Sequence, residues 1–353
     1  FYLHYAARNI WRNRRWSTFA VFSIAAGVAA IVALRSLGLA ISDSLTTNIR
    51  SSNHGDITLS RNNLGGFMNI EAPSEADVFN PGTLEGIREW VTERGGELTA
   101  YISSSAVQVA ALNAQTSGRP QFISTYFIDP ATYPPTQDIF AIDPPGVLLG
   151  DLFQGGNEVV VSQNMASAQR IQVGDRVRVS GTTEEYIVRG IVPATAEAGL
   201  RNLFAAFFGF AYLPFDHAQK LSLNPYPNNI SIILPEGNDI EAAAGELRDL
   251  ARYRGSGGSL MVYHVPQMLR QNQQIADIIG RFIVVMGLGA LLIGGVGIVN
   301  TMLVMVRRRT EEVAALKTFG LKGSQVALMF MAEAILLGLI GSLIGGVLGV
   351  ILG

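Results

Sequence analysis

Cysteine is absent from all 353 residues. That excludes a disulfide framework, a thiolate metal site and a lipid-accepting thiol. Charge is scarce as well: 15% of residues are Asp, Glu, Lys or Arg, against about 25% in soluble domains. With 48% hydrophobic residues and a mean hydropathy of +0.29, the chain is too apolar for an ordinary soluble domain and too polar to lie wholly in a bilayer. The net charge of −2 offers no global basic field, so nucleic acid is not an expected partner. His4, His54, His217 and His264 are scattered without metal-ligand spacing. There is no Gly-x-Ser-x-Gly element and no Walker A motif, so this chain does not bind ATP through a P-loop. No nucleophile, acid–base pair or metal cluster stands out. No catalytic residue, cofactor or metal is expected, and an enzyme is the least favoured class.

What the chain does have is long apolar runs. Phe282–Val306 holds no ionisable residue and exceeds the roughly 20 residues that cross a hydrocarbon core. A charged segment follows it, and then a second run to the end of the sequence. A third run begins at Trp16, after Arg8, Arg12, Arg14 and Arg15. The expected organisation is therefore a cytoplasmic amphipathic helix at 1–15 and a first transmembrane helix with its outward extension at 16–42. An extracytoplasmic domain occupies 43–280, and a second span 281–306. A charged segment at 307–322 leads to a third span at 323–353. A cleaved signal peptide is a poorer reading of the N-terminal run, which is longer than the roughly 7–15 apolar residues such a peptide carries.

Orientation follows from charge. The N-terminal arginines and Arg307, Arg308, Arg309, Lys317 and Lys322 belong on the cytoplasmic side by the positive-inside rule. The 43–280 domain is then outside, and the third span runs outward again. Localisation is the cell membrane, multi-pass.

The outer domain reads as α+β. Thr83–Arg94 and Ile240–Tyr253 read as helices, the second capped by Asn238 or Asp239. Each precedes a strand-like run, Glu97–Leu112 and Leu260–His264. This hints at one subdomain built from both ends around a β-rich insertion at about 140–215. Inside that insertion, Glu158–Ser162, Gln163–Arg170, Val173–Val179 and Tyr186–Val192 read as strand, short helix, strand, strand. The run Leu203–Leu213 reads as core, or else as a hydrophobic contact site. Gln267–Arg281 is polar and helical and leads straight into the second span. With Ser36–Leu45 it makes a helical stalk that carries motion across the membrane.

Two motifs stand out. Gly341, Gly345, Gly349 and Gly353 recur every four residues. They form a bare stripe for close helix packing, either between two copies or within one subunit. Arg309–Gly320 places Val313, Leu316 and Phe319 on one helical face and leaves Glu311, Glu312 and Lys317 solvated. Gly320 ends this helix. It is either a dock for a soluble partner or a plain interfacial connector. Glu333, early in the third span, is read as an interface residue beside Lys322 or as a functional carboxylate in the bundle.

Three stretches carry a family resemblance. Ala7–Arg14, Asn157–Ser162 with Val173–Asp175, and Gly294–Gly353 resemble the permease subunits of FtsX-like/MacB-type (type VII) ABC transporters. The last stretch includes Arg309, Thr310, Glu312, Lys317, Gly320, Glu333 and the terminal glycines. The resemblance implies an α-helical transmembrane bundle with a large α+β MacB-like core domain inserted between spans 1 and 2. It implies four spans, of which three are present and the fourth is absent from these residues. It also implies a separate cytoplasmic ABC ATPase subunit as partner, a second permease copy or paralogue, and an extracytoplasmic substrate or partner protein. In this likeness Arg309, Thr310, Glu311, Glu312, Val313, Leu316, Lys317, Phe319 and Gly320 are the ATPase-coupling segment, and Ala314 departs from a frequent glycine. The permease itself is non-catalytic and works by mechanotransmission, for export or extraction of an envelope substrate. Alternatives are a regulator of a cell-wall hydrolase, or a membrane-anchored sensor without an ATPase.

Overall fold

A computed structural model of the chain describes residues 8, 10–12, 14–46, 49–61, 72–112, 120–197, 202–253, 259–308, 310, 314, 318 and 322–352. It divides into two units, one made of residues 1–47 and 271–353, the other of residues 48–270.

The first unit is helical. Helix α1 spans Arg14–Thr46, helix α8 spans Val265–Arg308 and enters the unit from residue 271, and helix α9 spans Gly323–Leu352. Among the described residues two segments are long and apolar enough to cross a membrane, Ser17–Ala40 (mean hydropathy 2.2) and Gly323–Ile351 (mean hydropathy 2.5). Only 22% of either window is buried. In a soluble core helix the apolar side chains would be covered; here Phe22, Leu343, Val350 and Ile351 face outward, as lipid-facing side chains do. The expected count of three spans is not reached: among the described residues two segments qualify and α8 supplies none, although its Phe282, Val285 and Leu288 are exposed.

The second unit is α+β. Its helices are α2 (Ile49–Ser52), α3 (Pro81–Glu93), α4 (Gln163–Gln169), α5 (Leu203–Phe208), α6 (His217–Lys220) and α7 (Ile240–Tyr253). Its described strands are β1 (Ile57–Ser60), β2 (Glu97–Ser104), β3 (Gln108–Ala111), β4 (Gln121–Phe122), β5 (Ser124–Ile128), β6 (Glu158–Ser162), β7 (Arg176–Val179), β8 (Glu185–Val192), β9 (Phe210–Pro214), β10 (Asn229–Ile233) and β11 (Met261–His264). They join in one 11-stranded sheet of order β11-β1-β10-β2-β5-β9-β6-β8-β7-β3-β4.

Strand β2 links two halves of this sheet. Its first residues pair with β10, Tyr101 opposite Asn229, and its last with β5, Ile102 opposite Phe127. The half containing β1, β10 and β11 draws on both ends of the region and carries α3 and α7. Helix α3 starts where Asn80 Oδ1 accepts from the Thr83 amide at 2.7 Å, with Pro81 in the first turn. Helix α7 is capped by Asp239, which accepts from the amides of Glu241 and Ala242. Ile87, Val91, Ala244 and Leu247 from these helices pack with Ile57, Leu59, Ile230 and Ile232 from the strands. In the inserted half, Val177 and Val179 are buried while Arg176 and Arg178 are exposed, the period-2 pattern of a half-buried strand. The run 203–213 splits between the two readings of its sequence: Phe204 and Phe210 are buried, whereas Phe207 is 70% exposed and Phe208 42%.

Candidate functional site

In the helical unit, the glycine stripe meets α1. A Cβ on Gly341 would sit 2.8 Å from Ile24 Cβ; one on Gly345 would sit 2.5 Å from the Ala25 carbonyl oxygen; one on Gly349 would sit 2.6 Å from Val32 Cβ. Contact positions rise together along both helices, so α1 and α9 run parallel. Helix α8 behaves oppositely. A Cβ on Gly38 would meet Ile283, and one on Gly287 would meet Ile31, so α8 runs antiparallel to α1. Gly353 lies outside the described residues. Glu333 is buried, 3% exposed, while Lys322 is exposed and its amide donates to Gln325 Oε1 at 2.9 Å. That burial sets the carboxylate against protein.

The segment Arg309–Gly320, expected from the resemblance to couple to an ATPase, is barely described. Thr310 is exposed, and its hydroxyl donates to the Arg307 carbonyl at 2.7 Å. Arg309, Glu311, Glu312, Val313, Leu316, Lys317, Phe319 and Gly320 lie outside the described residues.

The second unit contains a joint that no sequence motif announced. The chain leaves α2 through a tight turn, Asn53–Asp56, before β1. The amides of Asn53, His54 and Gly55 donate back to Ile49, Ser51 and Arg50. His54 is left-handed at φ 54° and Gly55 has φ 147°. Asp56 then gathers three elements. Its carboxylate takes a two-point contact from Arg50 (2.8 and 2.9 Å) and the Leu234 amide beyond β10 at 3.0 Å. Its carbonyl accepts from the amide of Val265, the first residue of α8, at 3.0 Å. Forked arginine–carboxylate pairs fix geometry as well as charge. Gly55 is required at this turn: a Cβ there would lie 2.6 Å from the Ile232 carbonyl oxygen. Gly55→Ala is expected to destabilise the outer domain by about 1–3 kcal/mol, read as a lower thermal midpoint in detergent. An unchanged midpoint would mean that the turn relaxes freely.

His54 reaches from this joint to Glu197. Its Nε2 lies 3.0 Å from Glu197 Oε2, and the two side chains are 6% and 4% exposed. The hydroxyls of Tyr133 and Tyr212 both donate to Glu197 Oε1 at 2.6 Å. Tyr101 packs edge-on against Tyr133, and Tyr126 lies beside Tyr212. Asn202 donates to the Tyr126 hydroxyl and caps α5 through the Ala205 amide. Burial pushes the Glu197 carboxyl up, but the His54 ring and the hydrogen bonds from His54, Tyr133 and Tyr212 outweigh it and hold the carboxyl below its ordinary value. Burial and the Glu197 charge push Tyr133 and Tyr212 well up, so both remain donors. A depressed carboxyl stabilises the fold above its unfolded-state pKa, about 4.3. That stability is lost as pH falls through the lower folded value. Acid unfolding of the wild type is therefore expected to carry a component in that window that Glu197→Gln lacks. Matching acid profiles would remove this role.

Sequence reading missed Glu197. Its only signal is a lone carboxylate in the small-residue stretch Ala194–Gly199.

Outward-facing apolar helices at either end of the sequence, with a large α+β domain in the chain between them, are the organisation of a membrane protein with a water-exposed domain. The family model described as MacB-like periplasmic core domain matches residues 17–250, and that described as FtsX-like permease C-terminal matches residues 284–353. The chain belongs to the FtsX/MacB-type ABC transporter permeases. It is 23% identical over 354 residues to an uncharacterized ABC transporter permease of Methanocaldococcus jannaschii, covering 99% of this chain and 82% of that one. Over 198 residues it is 27% identical to the uncharacterized ABC transporter permease YknZ of Bacillus subtilis, covering 55% of this chain and 48% of YknZ. The macrolide export ATP-binding/permease protein MacB of Agrobacterium fabrum is 24% identical over 366 residues, covering 97% of this chain and 51% of its own. The matched stretches thus span about half the length of Bacillus subtilis YknZ and of the Agrobacterium fabrum MacB. A solved extracellular domain of YknZ from Gram-positive bacteria aligns with 59% of this chain and 99% of its own, at 16% identity and a TM-score of 0.38.

Proposed function

We propose that this chain is the non-catalytic transmembrane subunit of an ABC transporter complex. It transmits ATP-driven motion from a separate cytoplasmic ATPase to its extracytoplasmic domain, for export or extraction of a substrate from the cell envelope. The direction of the three helices carries the reading. Two parallel helices packed side by side start from the same face of a bilayer, so the chain between them has to return across it. Helix α8, antiparallel to α1, is the returning element. Its 44 residues amount to about 66 Å at 1.5 Å per residue, against a hydrocarbon core of about 30 Å. That leaves ample helix for a stalk leading to residue 265. On this reading α8 would add a third span to the two apolar segments, and 307–322 would lie on the cytoplasmic side with the basic residues.

Family membership supports the ATPase partner, since the MacB relatives are named as ATP-binding and permease protein together. The coupling role of Arg309–Gly320 rests on its amphipathic spacing and its place between two spans. The glycine stripe is occupied by α1 of the same chain, which favours packing within one subunit and leaves pairing with a second permease copy to other surfaces.

Gentle-detergent purification with mass spectrometry of co-purifying proteins tests the reading. A stoichiometric P-loop ATPase is the expected result. Recovery of a wall enzyme or a ligand, with no ATPase, would overturn it in favour of an anchored sensor.

A further inference from the structure

His54 belongs to the turn where α2, β1, the end of β10 and the start of α8 converge. Tyr212 belongs to β9. In the sheet, β10, β2 and β5 stand between β1 and β9, a separation of roughly 19 Å at about 4.8 Å per strand. A shift of the joint that travelled through the sheet would have to pass four ladders of strand pairing. Glu197 shortens that route. One buried carboxylate takes His54 on one oxygen and the hydroxyls of Tyr133 and Tyr212 on the other.

The arrangement has three features of a built link. Both ends are sequestered from water, with the His54 and Glu197 side chains 6% and 4% exposed. The carboxylate holds three donors, which makes each bond charge-assisted, and the two tyrosine bonds are short at 2.6 Å. His54 is placed for this contact by a left-handed backbone at φ 54°, a conformation that non-glycine residues seldom adopt. Its Nδ1 has no hydrogen-bond partner among the described residues, so the polar bonding of the ring is directed at Glu197.

We infer that Glu197 is a strut that ties the joint at His54 directly to β9, so that displacement of the joint and displacement of the centre of the sheet are mechanically one event. The strut itself stands on geometry. Its use in transduction rests on the permease reading, and the two fail separately.

The test is amide hydrogen exchange on the full chain in detergent, with one substitution at each end. His54→Asn keeps a residue that tolerates the left-handed turn but is too short to reach Glu197. Tyr212→Phe removes a single hydroxyl and keeps the ring packed. Each is expected to loosen the opposite end. Tyr212→Phe speeds exchange of the Asn53, His54 and Gly55 amides by about tenfold, and His54→Asn does the same at residues 194–197, because local opening sets exchange and a bond to a charged group holds it closed. The double variant exchanges no faster than the faster single one, since both break the same link. Loosening confined to the mutated end, or additive effects, would overturn the strut. If the strut holds in exchange and no ATPase co-purifies, it is the permease reading that fails.

Discussion

Replacing Gly345 with leucine is expected to abolish accumulation of folded protein. The Cβ alone would lie 2.5 Å from the Ala25 carbonyl oxygen and 2.9 Å from Ala25 Cα. Both are backbone atoms of α1, so no rotamer change relieves the clash, and the helices have to separate. Transmembrane helices have no hydrophobic drive toward one another; close packing and lipid entropy hold them, which is why small residues line such seams. Prising α1 from α9 therefore removes most of what joins them. Gly346, one position on, would place its Cβ in open space. Gly346→Leu serves as the control and is expected to leave expression and detergent-extracted yield within about twofold, being a substitution away from packing contacts. If both variants accumulate equally, the seam is not essential. If both vanish, the loss reflects leucine in α9 rather than the contact with α1.

Charge reversal at Glu311 and Glu312 is expected to uncouple the ATPase. On the proposed reading these carboxylates lie on the solvated face of a short helix between two spans, where a cytoplasmic subunit meets the chain. Opposed charges across an interface become repulsive when one sign is inverted. Two reversals are expected to weaken co-purification of the ATPase by at least about tenfold, the equivalent of 1.4 kcal/mol. They should do so without changing the acid or thermal unfolding of the 48–270 unit. Undiminished association and undiminished stimulation of ATP hydrolysis would remove the assignment of Arg309–Gly320.

The accuracy of the sequence reading varied with how local each signal was. Helix α7 begins and ends where Ile240–Tyr253 was read, because cap, apolar period and the following glycines are all local. Strands β7 and β8 follow from alternation and turn residues in the same way, and β6 from a short apolar run that is buried throughout. The long run Glu97–Leu112 instead breaks into β2 and β3, since pairing with β10, β5 and β7 decides where a strand stops. Leu203–Leu213 divided between a half-exposed helix and a buried strand, which an unbroken apolar run does not foretell. For Glu333 the sequence leaves an interface residue and a carboxylate within the bundle both open, and its side chain is buried.

By itself the sequence determined that this is a membrane protein of the FtsX/MacB type and which parts are apolar enough to sit in lipid. Hydropathy, period and basic clusters are properties of neighbouring residues, and the bilayer acts on them one helix at a time. Only the tertiary structure decided that the glycine stripe faces α1, that α1 and α9 run parallel, and that Asp56 joins the start of α8 to β1 and β10. It alone brought His54, Tyr133 and Tyr212 to Glu197. These depend on the order in which strands and helices are assembled, which places residues 143 positions apart within a hydrogen bond, and no local pattern in the chain records that order.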